Sequence, residues 1–217
     1  MNNPTVGQRV TWGSWMLALA AVAGLAACAS STPAPVLLTI PPAAGLAVAS
    51  NASAPAAAVS GPTVLAVRRV AIPEYLVSRR VRFRADPSTL AEWPNTYWAE
   101  RIEIGVTREF TAALRSQLPG WTLCDANCGD QTPAYALQVE MVPMDYLRGS
   151  QTLKAHARIT VSTGSAAPKV LQATQASYEL PSGADTAQAQ AQTLAELIGR
   201  VAALAATTVN AAARQTP

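Results

Sequence analysis

A cysteine near the start of the chain stands in the best-defined chemical motif of the sequence. Cys28 closes the segment Leu25-Ala26-Ala27-Cys28 and follows an apolar run from Val10 to Ala27. The residues before that run hold one positive charge, at Arg9, and no acid, as is typical of a secretory signal peptide. Small residues directly before a cysteine are typical of a lipoprotein processing site. We therefore expect residues 1–27 to be removed and Cys28 to carry lipid.

An uncleaved transmembrane anchor is the alternative interpretation of this run. Roughly 20 apolar residues are needed to span a bilayer, and the run, of about 18 residues, is rich in Ala and Gly. It also ends in Ala-Ala-Cys followed by a segment rich in Ser, Thr and Pro, which favours the lipoprotein. Diacylglycerol on the sulfur and an acyl chain on the amine would make a permanent anchor, because each buried methylene contributes about 0.8 kcal/mol.

Two further cysteines, Cys124 and Cys128, lie in a polar loop. In an oxidising compartment this arrangement favours a local disulfide, and closing so short a loop contributes about 2 kcal/mol. Free thiols and a metal site are the alternatives. Structural zinc needs four ligands, however, and the chain has a single histidine, His156. Three residues separate the cysteines, where a thioredoxin-like redox motif has two.

The sequence shows no constellation that would support catalysis. There is no Gly-x-Ser-x-Gly elbow, phosphate-binding loop or His-Glu-x-x-His motif. His156 could act as a lone base, but it lies between Lys154 and Arg158 with no acid beside it, which favours a solvated strand histidine. We expect no enzyme activity, no cofactor and no metal.

An arginine cluster is the other chemical feature. Seventeen residues that include one acid, Glu74, contain six arginines: Arg68, Arg69, Arg79, Arg80, Arg82 and Arg84. Arg80, Arg82 and Arg84 alternate with Val81 and Phe83, so they share one face of a half-buried strand. They are the candidate contacts to phospholipid headgroups or an acidic partner, since a guanidinium group can hold phosphate or carboxylate at two points. The alternative is a sheet edge that charge protects from aggregation.

Length and net charge limit the number of domains and the class of partner. Removal of residues 1–27 leaves 190 residues, enough for one domain and a tether. The formal charge falls from +3 to +2 with the loss of Arg9, which is too small to indicate a nucleic-acid partner. Residues 28–62 are rich in Ala and Pro and are predicted to be a lipidated N-terminus and tether, although 36–40 could dock as an edge strand. Residues 63–217 form the predicted domain.

Hydrophobic periodicity predicts the elements of this domain. Strands are expected at Val64–Ile72, Arg80–Arg84, Tyr135–Val142, Leu153–Thr163 and Val170–Leu180, and helices at Tyr97–Leu118 and from Asp185 to about Arg214. The order β-β-α-β-β-β-α predicts a single α+β domain with a mostly antiparallel sheet covered by two helices. The last helix is expected to cover the sheet, with a partner-facing helix as the alternative.

Two short blocks resemble the PqiC-type auxiliary lipoproteins of intermembrane lipid-transport systems. Ile72-Pro73-Glu74-Tyr75-Leu76 is similar to their Pro-x-Tyr-Leu turn, and Tyr97-Trp98-Ala99-Glu100 is similar to their Trp-Ala-Glu helix start. Val77 and Arg101 depart from the residues that commonly follow these motifs, an acid and a proline respectively. With the motif at Cys28, the resemblance extends over nearly the whole mature chain in element order.

The resemblance implies a non-catalytic accessory subunit anchored by lipid in the periplasm. Its implied partners are an MCE-domain protein and the permease and ATPase of an ABC transporter, which move phospholipid between the two membranes, and it allows a ring-forming homo-oligomer. Ala29 and Ser30 follow Cys28 in place of the aspartate that retains similar lipoproteins in the inner membrane. This favours the periplasmic face of the outer membrane, with the inner membrane as the alternative. An outer-membrane assembly or envelope-structural lipoprotein unrelated to a transporter is the alternative function.

Mass spectrometry of the mature N-terminus is expected to find an acylated Cys28. The small residues before the cysteine direct cleavage to that bond, and the sites of lipid attachment are the cysteine sulfur and the amine that cleavage frees. An unmodified N-terminus at another residue would contradict this prediction.

Overall fold

Eight strands and two α-helices form in the part of the chain that the computed structural model describes, residues 33–43, 63–125 and 128–215. They are, in chain order, β1 (Val36–Leu38), β2 (Thr63–Val67), β3 (Arg80–Arg84), β4 (Leu90–Trp98), α1 (Ile102–Gln117), β5 (Trp121–Cys124), β6 (Tyr135–Leu147), β7 (Thr152–Thr163), β8 (Val170–Pro181) and α2 (Ala187–Gln215). Cys28 and the predicted signal peptide lie outside the described residues.

β7 shows how alternation in the sequence builds the sheet. Successive side chains of a strand point to opposite faces, so residues two apart share an environment. Leu153, Ile159 and Val161 are buried on one face, whereas Lys154 and Arg158 are exposed on the other. One face of β7 is therefore polar and the other apolar, and the apolar face is the one that the last helix covers.

β6 is the strand on which the sheet is assembled. It pairs antiparallel with β7 along its length, and β7 pairs antiparallel with the edge strand β8. The other side of β6 pairs in parallel with β2 near Tyr135 and with β3 at Leu147. The remaining strands extend the sheet on that side in the order β1-β4-β3-β6-β2-β5. The sheet is therefore mixed, and its longest ladders are antiparallel.

Both helices present apolar faces to the core. On α1, Ile102, Val106, Phe110 and Leu114 are buried at helical spacing. On α2, an apolar stripe is buried as well, namely Leu194, Ile198, Val201, Ala205 and Ala212. α2 is long and apolar enough to cross a membrane, but most of it is buried inside the fold, as in the core helix of a soluble domain. The prediction that this helix covers the sheet is confirmed.

The α+β class, the single domain and the two helices are confirmed, but the first helix begins later than predicted. Tyr97 and Trp98 end β4, and α1 begins at Ile102. Trp98 satisfies the helical stripe of α1 by spacing alone, yet it is buried as a strand residue. Pro94 lies where β4 is not paired with β3, which suits a residue without an N–H donor. The structure thus adds β4 and the short β5 to the predicted order.

The segment 36–43 belongs to the domain, although the sequence placed it within the predicted tether of residues 28–62. β1 pairs in parallel with Thr96–Trp98 of β4, so the suggested docking of this segment is realised. Ile40 and Ala43, which follow β1, are buried in the core. A Cβ atom at Gly105 of α1 would lie only 3.3 Å from Cδ1 of Ile40. The glycine therefore allows the docked segment to approach the helix closely.

One buried side chain joins α2 to the two strands beside it. Gln190 is 8 % exposed, and its Oε1 accepts a hydrogen bond of 2.7 Å from Nε1 of Trp93 in β4. Its Nε2 donates at 2.8 Å to the carbonyl of Arg82 in β3. The carbonyl lies at the irregular part of the β3–β4 ladder, between Arg80 and Arg82. Both ends of the amide are therefore satisfied, one by a side chain of β4 and the other by a backbone carbonyl of β3.

We expect Gln190→Leu to lower the free energy of unfolding by about 2 kcal/mol, because it removes the partner of the buried Trp93 N–H and a hydrogen bond to the half-buried Arg82 carbonyl. Urea denaturation measures the change. Gln188→Leu, on the exposed side of the same helix turn, is the matched control and should stay within about 0.5 kcal/mol of the unaltered protein. Equal stability of the two variants would contradict the role given to Gln190.

Candidate functional site

The arginines of β3 point away from the core, as their alternation predicts. Val81 and Phe83 are buried, and the arginines between and beside them lie on the opposite face. Exposure of the side chain falls along the strand, from 50 % at Arg80 to 30 % at Arg82 and 21 % at Arg84. The three candidate contact residues therefore differ in how much of the side chain a partner can reach, and Arg80 is the most accessible of them.

Arg84 is held inside a cluster with Tyr75 and Asp145. Its Nε lies 3.0 Å from Oδ1 of Asp145 on β6, and its guanidinium lies over the Tyr75 ring, 5.0 Å from the centroid. The Tyr75 hydroxyl donates to the same carboxylate oxygen at 3.0 Å. Burial raises the pKa of Tyr75; the hydrogen bond with Arg84 opposes the rise and the bond with Asp145 adds to it. The Pro-x-Tyr-Leu turn, a 3₁₀ segment at Glu74–Leu76, is thereby fixed to β3 and β6.

Arg80 and Arg82 share one carboxylate. Glu92 of β4 lies 3.2 Å from Nε of Arg82 and 3.3 Å from Nη1 of Arg80. Arg82 also donates through Nη1 to the backbone carbonyl of Tyr75 at 2.6 Å, which adds a second internal partner. Arg80 lies over the Tyr97 ring, 5.2 Å from its centroid. Two cations facing one acid leave this part of the surface positive.

An open groove lies beside Arg80, between β1 and the arginine face of β3. Leu37, Arg79, Arg80, Glu92 and Tyr97 are among the residues that line it. Arg79 is exposed and donates through Nη2 to the Ala99 carbonyl at 3.2 Å, and it has no carboxylate in ion-pair range among the described residues. Leu37 is 59 % exposed. We call these five residues the β1–β3 groove.

The structure divides the arginine cluster that the sequence suggests. Arg68 and Arg69 follow β2, which pairs with the first part of β6, whereas β3 meets the far end of β6 at Leu147. The sequence alone does not identify the acids that pair with the arginines of β3. Glu92 follows on the next strand, and Asp145 lies 61 residues from Arg84 in the chain.

The cysteine loop and His156 lie apart from the groove. Cys124, at the end of β5, is joined to Cys128 by a disulfide with a Cα–Cα distance of 5.2 Å. His156 is on the outward face of β7, where its Nδ1 lies 3.1 Å from the Ser177 hydroxyl of β8. Within residues 33–43, 63–125 and 128–215, no three His, Cys, Asp or Glu side chains are grouped so that they could hold a metal ion.

The side chain of Asp86 organises the turn between β3 and β4. Oδ1 of Asp86 accepts hydrogen bonds from the N–H of Ser88 at 2.8 Å and of Thr89 at 2.9 Å, and from the Ser88 hydroxyl at 2.8 Å. These bonds, the Ser88 N–H foremost, lower the pKa of Asp86 to about 2. The charged carboxylate is therefore the form that closes the turn.

Comparison with known proteins assigns the chain to a family. A family model described as "ABC-type transport auxiliary lipoprotein component" matches residues 45–206. The chain belongs to this family. The resemblance to PqiC-type auxiliary lipoproteins is thereby confirmed, and the chain is an auxiliary component of an ABC-type transport system. No curated protein matches the chain.

Solved structures of low sequence identity share the fold. An uncharacterized protein of known crystal structure aligns with a TM-score of 0.63 at 17 % identity, covering 82 % of this chain and 99 % of that one. Protein XCC0632 from Xanthomonas campestris, described as a DUF330 protein, aligns with a TM-score of 0.58 at 13 % identity, covering 71 % of this chain and 87 % of its own. At these identities the likeness supports the fold alone.

We expect the carboxyl group of Asp86 to titrate at about 2 in the folded protein, below its ordinary 3.8, because its oxygen accepts three hydrogen bonds that protonation weakens. A depressed pKa means that the stability supplied by Asp86 is present above pH 3.8 and is lost as the pH falls towards 2. Carboxyl-detected NMR measures the titration.

Ser88→Ala removes one donor and should raise the pKa of Asp86, whereas Asp86→Asn should remove this part of the acid dependence of unfolding. Titration of Asp86 at its ordinary pKa in the unaltered protein would show that the turn hydrogen bonds do not form in solution.

Proposed function

We propose that this protein is a lipid-anchored, non-catalytic accessory subunit of an ABC transporter that works with an MCE-domain protein to move phospholipid between two membranes. The family match over residues 45–206 is the observation that carries the proposal, because it assigns the auxiliary role in ABC-type transport. The partner proteins and the lipid cargo are the finer part of the proposal, and the resemblance at Ile72–Leu76 and Tyr97–Glu100 supports them.

The anchor supplies a physical reason for an accessory role. Lipid on Cys28 would hold the domain near one membrane surface and so raise its effective concentration for a membrane-bound partner. Recruitment of this kind needs a docking surface and no reactive group. Ala29 and Ser30 after Cys28 support the periplasmic face of the outer membrane as the site of the anchor.

The described side chains fit a binding role better than a reaction. The polar clusters of the described part hold strands and turns together: Arg84 with Asp145, Arg80 and Arg82 with Glu92, and Arg148 with Asp185. His156 has a hydroxyl beside it and, among the described residues, no carboxylate within ion-pair distance. A general base is usually oriented by a carboxylate, whereas the partner that the described residues give His156 is the Ser177 hydroxyl.

Affinity purification of the full-length protein from gently solubilised envelopes is expected to recover the MCE-domain protein together with the permease and ATPase, identified by mass spectrometry. Cys28→Ser is expected to lower that recovery by about tenfold or more, because the second binding event would lose the effective concentration that the membrane provides.

Recovery of an outer-membrane assembly complex without an MCE-domain protein would contradict the transport role. Recovery of the transporter at equal yield with Cys28→Ser would contradict the part assigned to the anchor. Immunoblotting of the two strains is the control for both results, because it shows whether the unaltered protein and the Cys28→Ser variant are equally abundant.

A further inference from the structure

We propose that the β1–β3 groove faces the membrane that holds the chain and receives the headgroup phosphates of anionic phospholipid. The inference rests on the proposed anchor at Cys28 and gives the domain an orientation that the anchor alone does not. It combines three observations: the length of chain between Cys28 and β1, the charge of the groove, and the exposure of Leu37 beside it.

The docking of β1 makes the connection to Cys28 short. Seven residues separate Cys28 from Val36, and a fully extended chain of that length spans at most about 28 Å. Pro33 and Pro35 stiffen the end of this segment. If β1 were not docked, the connection would run to Thr63 and could span about 120 Å.

This reach is small compared with the domain. The unit that begins at Pro35 has 183 residues, and a domain of that size is about 40 Å across. A tether of about 28 Å cannot pass around such a body to bring its far side against the bilayer. The edge that carries β1 is therefore the part of the domain held against the headgroups.

The charge of this edge suits an anionic surface. Three guanidinium groups, of Arg79, Arg80 and Arg82, face the groove, and Glu92 is the carboxylate among its lining residues. Arg82 is occupied by Glu92 and by the Tyr75 carbonyl. Arg80 meets Glu92 through Nη1 and Arg79 meets the Ala99 carbonyl through Nη2, so the other donors of these two guanidinium groups remain for a phosphate. A guanidinium fork binds phosphate at two points, and arginines next to a membrane are attracted to anionic lipids.

The apolar side chains of the edge suit the same occupant. Leu37 stands out from β1, and the ring of Tyr97 lies under Arg80 at the groove wall. Leucine with tyrosine and arginine is the composition of a surface that sits at the boundary of headgroups and acyl chains, where an apolar body and a polar tip are both accommodated. A second copy of the chain is the competing occupant, and the experiment below separates it from lipid.

The test uses the full-length acylated protein in vesicles of phosphatidylethanolamine and phosphatidylglycerol, with a photo-cross-linking residue at position 37 or at position 170. Val170 is a matched control because it is 58 % exposed and adjoins the cation Lys169. It begins β8, which four strands, β4, β3, β6 and β7, separate from β1. The measurement is the fraction of protein joined to phospholipid, by mass spectrometry.

Position 37 is expected to capture phospholipid about tenfold more often than position 170. The double variant Arg79→Gln/Arg80→Gln should lower capture at position 37 by about tenfold in anionic vesicles, because two cations near the surface are lost. It should do so without lowering the fraction of protein that floats with the vesicles.

Equal capture at the two positions, or capture of a second copy of the chain at position 37, in protein that still floats would overturn the inference and leave the proposed function standing. Protein that carries no acyl group on Cys28 and does not float would overturn the proposed anchor and the inference with it.

Discussion

The side-chain amide of Gln190 is the contact on which the placement of the arginine strand depends. β3 and β4 do not pair continuously, and the carbonyl of Arg82 at the break is bonded by an amide from α2. A buried amide without partners is unfavourable, whereas one with both ends bonded selects a single arrangement of the elements around it. Here it sets the helix against both strands at once, through Arg82 on one side and Trp93 on the other.

Aromatic packing around Trp93 extends this link to the surface. Phe83 and Trp93 lie with their ring centroids 5.1 Å apart, and Arg148 lies over Trp93 at 4.3 Å. Arg148 in turn pairs with Asp185, just before α2. The inner face of β3 is thus fixed by α2 and by aromatic contacts, and this decides which way its arginines must point.

The sequence predicts those elements whose environment is set by their own periodicity. β7 and α2 have clean patterns because each presents one face to a single core, and β3 alternates for the same reason. β4 does not follow from its sequence, since Trp98 satisfies a helical stripe and a strand equally well. Docking of β1 brings Ile40 against Gly105 of α1, a contact between distant parts of the chain that periodicity does not reveal.

The charges of the candidate site are likewise predictable only in part, because the positions of the arginines follow from local spacing whereas their acid partners come from other strands. Spacing along β3 correctly places three arginines on one face, but the sequence around them holds one acid and suggests an unpaired cluster. Folding brings Glu92 and Asp145 to that face from β4 and β6. Arg82 and Arg84 are half-buried and ion-paired, so they hold neighbouring strands together. The positive charge that an external partner can reach is therefore that of the exposed Arg79 and Arg80 at the edge.

The shortness of β1 has a mechanical consequence. It is held to β4 by three residue pairs in register, and any force applied through the N-terminal segment acts on these pairs before it reaches the rest of the sheet. If β1 separated from β4, β4 would keep its partner β3. The connection between Cys28 and the sheet would then lengthen by up to about 90 Å, the extended length of residues 36–62. The three pairs between β1 and β4 therefore set the length of the connection between the proposed anchor and the sheet, and tension that separated them would lengthen it.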